Sequence, residues 1–270
     1  MKLRLSFFAA NLLLWSSLLF LSQCASFNVF SLQDDMSLGQ QMEQQIASNP
    51  QQYPVLDRVQ YREAYGHLQR ITDEILNSGE VTHRDMFEWK LHIIRDDNTL
   101  NAFVTPGGYI YVYTGLIKYL DTEDQLAGVM GHEIAHADRR HSTNNMTKLY
   151  GVQILVGALA GENSSLLTQM IGQVSGNLIG LSFSRNSEAD ADEYSVRYLS
   201  KTRYQCNGAA GFFEKILQEG NSQAPPQFLS THPSSQNRVR DINAFAQSSG
   251  CNMQASDSQA NYLAFKRSLP

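Results

Sequence analysis

Apolar and polar positions alternate with a period that changes along the chain, and each change predicts a new element. From Ser31 to Asn49 a glutamine-rich stretch carries Met36, Leu38, Met42 and Ile46 at near-helical spacing, which predicts a helix broken by Pro50 to Pro54. "VLDRVQYREAYGHLQRITDEIL" keeps the helical period and predicts a second helix ending before Asn77-Ser78-Gly79. The period then shortens. "FEWKLHIIRD" and "NAFVTPGGYIYVYTG" are rich in aromatic and β-branched residues, with Asp96-Asp97-Asn98 as the turn between two strands. Pro106-Gly107-Gly108 interrupts the second run and suggests a bulge or an edge rather than a central strand. Helical spacing returns afterwards. Thr122, Asp124 and Gln125 cap a helix carrying Leu126, Val129 and Met130, and further helices are expected near Ser187, after Asn207 and, as the last one, after Pro233. "YGVQILVGALAG" and "LLTQMIGQVSGNLIGLSF" are weakly polar but too short to span a bilayer, so they read as buried or interfacial helices.

The extreme N-terminus follows a different pattern. Lys2 and Arg4 precede an apolar run from Leu5 to Leu21, which reads as an export signal over residues 1–23. "LSQC" resembles a bacterial lipobox, with Gln23 where a small residue normally stands. Cys24 is therefore the candidate lipidated first residue; a plain cleaved signal and an uncleaved anchor are the alternatives. The remainder divides into a helical segment over 24–54, a main domain over 55–250 and a tail over 251–270. A net charge of −5 over 270 residues, with no basic cluster, gives no footprint for nucleic acid or for an anionic membrane surface. Cys206 and Cys251 make an even pair in an oxidising compartment. A bridge between them would be worth about 4 kcal/mol in the chain-entropy model; two unpaired thiols are the alternative.

The chemistry lies in "GVMGHEIAHADRRH". His132 and His136, four residues apart on a helix, project from one face and can reach one metal ion. Glu133 stands beside that face, where a carboxylate can take a proton from water activated by the metal. Catalytic zinc normally has three protein ligands and an open position, so one ligand is missing. "SRNSEADADEYSVRYL" supplies it: Glu188 is the candidate third ligand, and Asp192, one turn on, can hold the outer nitrogen of a zinc histidine. The competing reading is an acidic helix start. His141 reads as a positive partner for the end of the HExxH helix, and His67, His83 and His92 read as structural.

These motifs resemble the HtpX and CAAX-prenyl-protease family of gluzincin zinc peptidases, most of all its periplasmic BepA and LoiP type, without the tetratricopeptide repeats. The likeness is carried by His132-Glu133-Ile134-Ala135-His136, by Ser184-Arg185 with Glu188, Ala191 and Asp192, by "NAFVTPGGYIYVYTGLI" and by "THPSSQNRVRDI". It implies a mostly helical α+β, zincin-like domain with a small sheet next to the HExxH helix, and one Zn2+ per chain. It also implies roles for two more residues. His232 either stabilises the oxyanion or serves as a regulatory fourth ligand that closes the open position; Arg238 is either a transition-state contact or a salt-bridge partner of Asp192. The implied partners are extended protein or peptide substrates, the outer-membrane assembly machinery and, through a lipid anchor, the outer membrane facing the periplasm. The expected activity is envelope metalloendopeptidase quality control, with a zinc-latched chaperone or assembly factor as the alternative. A purely structural zinc site would have no use for Glu133.

Overall fold

The computed structural model describes residues 28–159, 182–219, 227–233 and 237–270. The export signal, Cys24 and most of the second weakly polar stretch lie outside them. A helix α1 (Leu32–Ala47) is followed by α2 (Arg62–Leu76) and by three strands, β1 (Lys90–Ile94), β2 (Ala102–Thr105) and β3 (Tyr109–Tyr113). A short α3 (Thr114–Tyr119) leads to the central α4 (Glu123–Asp138), then α5 (His141–Leu159), α6 (Arg185–Leu199), α7 (Gly208–Glu219), α8 (Phe228–Thr231), α9 (Arg238–Ser249) and α10 (Gln259–Ser268). This is a mostly helical α+β fold with one small sheet.

The second helix starts later than its apolar spacing predicts. Asp57 accepts the backbone N–H groups of Val59 and Gln60, which turns the chain. Val55 is thereby freed to bridge Ile94 beside the sheet. The proline-glycine interruption is also different from its reading. Gly107 and Gly108 both have positive φ, a conformation that glycine adopts without steric cost, and they close a hairpin between two separate strands. The sheet order is β1-β3-β2, so β3 is central, parallel to β1 and antiparallel to β2.

Both faces of the sheet are buried, and strand periodicity sorts them. Leu91, Ile93, Ala102, Val104, Ile110 and Val112 join the main core under the helices. Ile94, Phe103, Tyr109, Tyr111 and Tyr113 form a second core closed by Ile46 of α1. There His92, Tyr111 and Phe103 stack across all three strands, with ring centroids 4.6 Å apart at each step. The helices pack closely around α4. A Cβ on Gly128 would lie 2.0 Å from the backbone nitrogen of Ala209, so only glycine lets α4 and α7 cross there. The C-terminal segment is part of this core. Tyr262 and Phe265 of α10 are fully buried, and the Tyr262 hydroxyl donates to the Ile117 carbonyl. Two apolar anchors in ten residues make too sparse a stripe to distinguish such a helix from a tail.

Helix α5 runs from His141 to Leu159, through the described part of the first weakly polar stretch, yet Leu149, Val152 and Val156 are exposed on it. Among the described residues no helix is long and apolar enough to cross a membrane. Cys206 and Cys251 are joined in a disulfide, which closes a loop containing α7, α8 and all of α9.

Candidate metal centre

Helix α4 is started by a reciprocal cap: Thr122 Oγ1 accepts the Gln125 N–H, and Gln125 Oε1 accepts the N–H groups of Asp121 and Thr122. Asp124, expected in that cap, is instead buried and accepts from the backbone of Gln205 and Ser256. Helix α6 is capped by Ser184 and lies along α4, with Ser195 Oγ donating to the Gly128 carbonyl. That register sets Glu188 and Asp192 opposite the histidines of α4.

Four side chains converge. His132 Nε2 lies 3.0 Å from His136 Nε2 and 3.3 Å from His232 Nδ1. Glu188 Oε1 lies 3.1 Å from His232 Nδ1 and 3.5 Å from His136 Nε2. One ligand atom from each residue falls within 4.8 Å of the others, and all four residues are at most 3% exposed. Tetrahedral zinc with bonds of about 2.0–2.1 Å separates its ligand atoms by roughly 3.3 Å, so this donor set fits one such ion. Three imidazoles and a carboxylate suit zinc chemically.

The surrounding groups orient this cluster. Asp192 Oδ1 sits 2.9 Å from His132 Nδ1. Arg238 forks onto Asp192, with Nε at 2.8 Å and Nη2 at 2.5 Å, while its Nη1 stands 2.9 Å from Glu188 Oε2. Phe228 stacks on His232 with centroids 4.3 Å apart, and Phe183 stacks on His136 at 4.0 Å. Burial keeps His136 well below the usual imidazole range, which favours the neutral form a metal requires. The Glu188 carboxyl is held below the usual range against its own burial by hydrogen bonds from His132, His136 and His232. Glu133 goes the other way. Burial raises it, and His232 and His132 offset this only in part. Its Oε1 lies 3.4 Å from His232 Nε2, and neither oxygen has a hydrogen-bond partner among the described residues.

His141 is not the dipole partner its sequence position suggests. Helix α4 ends with Arg140 in the left-handed region at φ 57°, a conformation costing roughly 1–2 kcal/mol for a residue other than glycine. Arg140 is held there by Asp35 and by the Phe30 carbonyl. The break starts α5 at His141 and turns its ring back, so that its Nδ1 lies 3.0 Å from His136 Nδ1. Its Nε2 lies 3.1 Å from Asp190 Oδ2. Despite partial burial, His141 and Arg139 hold the Asp190 carboxyl down at about 2. Neither His141 nor Asp190 carries a motif signal. The other histidines lie apart from the cluster: His67 against Phe265, His83 on Asp138, His92 between Glu43 and Tyr111.

Glu133 and His232 face a cleft walled by Met42 of α1, by Phe103, Val104 and Thr105 of β2, and by Phe183. The Tyr113 N–H donates to the Asn101 carbonyl at 3.1 Å, which sets the phase of the ladder. Phe103 and Thr105 therefore turn their main-chain groups to β3, and Ala102 and Val104 turn theirs to the outer edge.

A fully buried His-Glu-His constellation on one helix, completed by a glutamate from a second, defines the gluzincin class of zinc site. The sequence profile of Peptidase family M48 matches residues 63–246, and the chain belongs to that family. It is 36% identical over 160 residues to the mitochondrial metalloendopeptidase OMA1 of Schizosaccharomyces pombe, covering 57% of this chain and 46% of that protein. It is 31% identical over 172 residues to the beta-barrel assembly-enhancing protease of Escherichia coli, covering 60% of this chain and 35% of that protein. The putative beta-barrel assembly-enhancing protease of Vibrio cholerae is 31% identical over 162 residues, covering 55% and 33%. The matches thus span less than half the length of each of these relatives.

Proposed function

We propose that the protein is a zinc-dependent metalloendopeptidase of the cell envelope that cleaves extended segments of unfolded or misassembled proteins. The observation that carries this reading is Glu133: a carboxylate buried beside four metal donors, with neither oxygen hydrogen-bonded among the described residues, at the floor of a cleft bordered by a strand edge. His132, His136 and Glu188 would hold the ion, and Asp192 orients the His132 ring. When bound, zinc supplies a Lewis acid and lowers the pKa of water toward 7. Glu133 takes the proton of the attacking water and passes it to the leaving nitrogen, and its raised pKa suits both halves of that task. The outward N–H and C=O groups of Ala102 and Val104 can pair with an extended peptide, which reads backbone more than side chain. Arg238 supports the site by fixing Asp192 and facing Glu188.

A second reading rests on His232, whose Nδ1 stands among the metal donors. As a fourth ligand it would fill the position that water needs, and the resting protein would act as an assembly factor with little proteolysis. One experiment tests both. The protein is incubated with an unfolded polypeptide, with and without chelator, alongside Glu133→Gln and His232→Ala. Fragments that vanish with chelator and in Glu133→Gln support the peptidase. Faster cleavage by His232→Ala supports the latch, and a loss of about 10²–10³-fold supports an oxyanion contact. Fragments that persist in Glu133→Gln overturn the catalytic assignment, and no fragments from any variant overturn the peptidase reading.

Placement in the envelope rests on the export signal and on relatives named for beta-barrel assembly. Cys24→Ala should abolish lipid labelling and release the protein from membranes. Unchanged fractionation and mass would rule out the lipid anchor.

A further inference from the structure

His132 and His136 are oriented by different chemistry. The outer nitrogen of His132 faces a carboxylate, whereas that of His136 faces a third imidazole, His141. For His136 to turn its Nε2 lone pair toward an ion, its proton must sit on Nδ1, and that N–H needs an acceptor. The atom opposite is His141 Nδ1 at 3.0 Å, with the two rings inclined at 76°. A neutral imidazole accepts only at the nitrogen that lacks a proton, so the His141 proton must lie on Nε2. That nitrogen meets Asp190 Oδ2 at 3.1 Å, and an ionised carboxylate can only accept. Every atom in the chain therefore has one consistent assignment. We propose that His141 is a positioning residue for the zinc ligand His136, accepting its Nδ1–H, and that Asp190 holds His141 in the tautomer able to do so.

The surroundings are built for this. His136 is fully buried and His141 nearly so, leaving little access for water to substitute as the acceptor. Arg139 Nε donates to the same Asp190 oxygen at 2.8 Å, and its guanidinium lies over the Tyr194 ring, 4.1 Å from the centroid. On an unbroken helix, a residue five positions after His136 would point about 140° away from it. The left-handed Arg140 is what brings His141 back. The inference concerns how the metal is held, and it is independent of what the enzyme cleaves.

The test reads zinc affinity by competition with a chromogenic chelator, the visible spectrum of the cobalt-substituted protein, and the melting temperature of the metal-free protein. His141→Phe keeps the ring volume but removes the acceptor. It should weaken zinc binding about 10–100-fold and shift the cobalt bands. His141→Asn places a carbonyl oxygen near the position of Nδ1 and should recover most of that affinity. Asp190→Ala frees the tautomer and should weaken binding in the same direction by less. Wild-type affinity and spectrum in His141→Phe would overturn the proposal, as would a His141→Asn variant no better than His141→Phe. Should His141→Phe fail to fold, the proposal stands if Asp190→Ala weakens zinc binding while His141→Asn does not. It falls if Asp190→Ala leaves the affinity unchanged.

Discussion

Two buried acids of α4, Glu123 and Glu133, are treated in opposite ways. At the N-terminal end, Glu123 is fully buried and completely engaged: Arg70 forks onto it at 2.8 and 2.7 Å, and the Tyr204 hydroxyl donates at 2.9 Å. Ten residues on, Glu133 is just as buried and has no hydrogen bond among the described residues. The same helix thus pairs one carboxylate and leaves the other without a hydrogen bond among the described residues. Burying a polar group without a partner costs free energy, and native folds rarely accept that cost without a use for the group. The contrast separates an acid that holds the fold from the acid proposed to do the chemistry.

Three changes would break or sharpen this contrast. The largest effect is expected from Arg70→Met. It strands the Glu123 carboxylate and should cost about 3–5 kcal/mol in denaturant unfolding of the metal-free protein. Adding Glu123→Met should recover most of the loss; a small effect of the single change would mean that Tyr204 alone suffices. Next is the disulfide, which encloses the segment carrying His232 and Arg238. Cys206→Ser with Cys251→Ser should cost about 2–4 kcal/mol by the same measurement. Because Arg238 is also fixed by Asp192, zinc affinity should fall much less than stability does. The smallest effect should have the opposite sign. Glu133→Gln removes a buried carboxylate that has no hydrogen-bond partner among the described residues, and should stabilise the metal-free protein by about 1 kcal/mol while abolishing proteolysis. A destabilised Glu133→Gln would show that the carboxylate supports the fold after all.

How much of this was legible in the sequence depends on how local the cause is. His132, Glu133 and His136 stand out because four-residue spacing on a helix is a local fact. Glu188 and Asp192 were legible one step further away, since an incomplete zinc site demands a partner from a second helix. The function of Glu123 was not legible. An acid in the first turn of a helix reads as a dipole partner, and its bond to Arg70, more than fifty residues upstream, has no local trace. His141 was misread for a different reason. Helical spacing carries it away from His136, and nothing in Arg139-Arg140 announces a left-handed residue, which is usually glycine. The hairpin at Pro106-Gly107-Gly108 was misread because two strands in succession and one interrupted strand share the same alternation until pairing decides.

Helix α1 lies outside the span matched by the family profile, which begins at residue 63. Yet its Ile46 closes the aromatic face of the sheet, its Met42 lines the cleft beside Glu133, and its Asp35 secures the left-handed Arg140. The unit that evolution copies and the unit that can fold are therefore different here. A fragment cut at the edge of the recognisable module would bare Phe103, Tyr111 and Tyr113 to water, and it would lose the clasp on the turn that aims His141. Anyone transplanting this active site into another protein would have to carry along a helix that contributes no ligand to it.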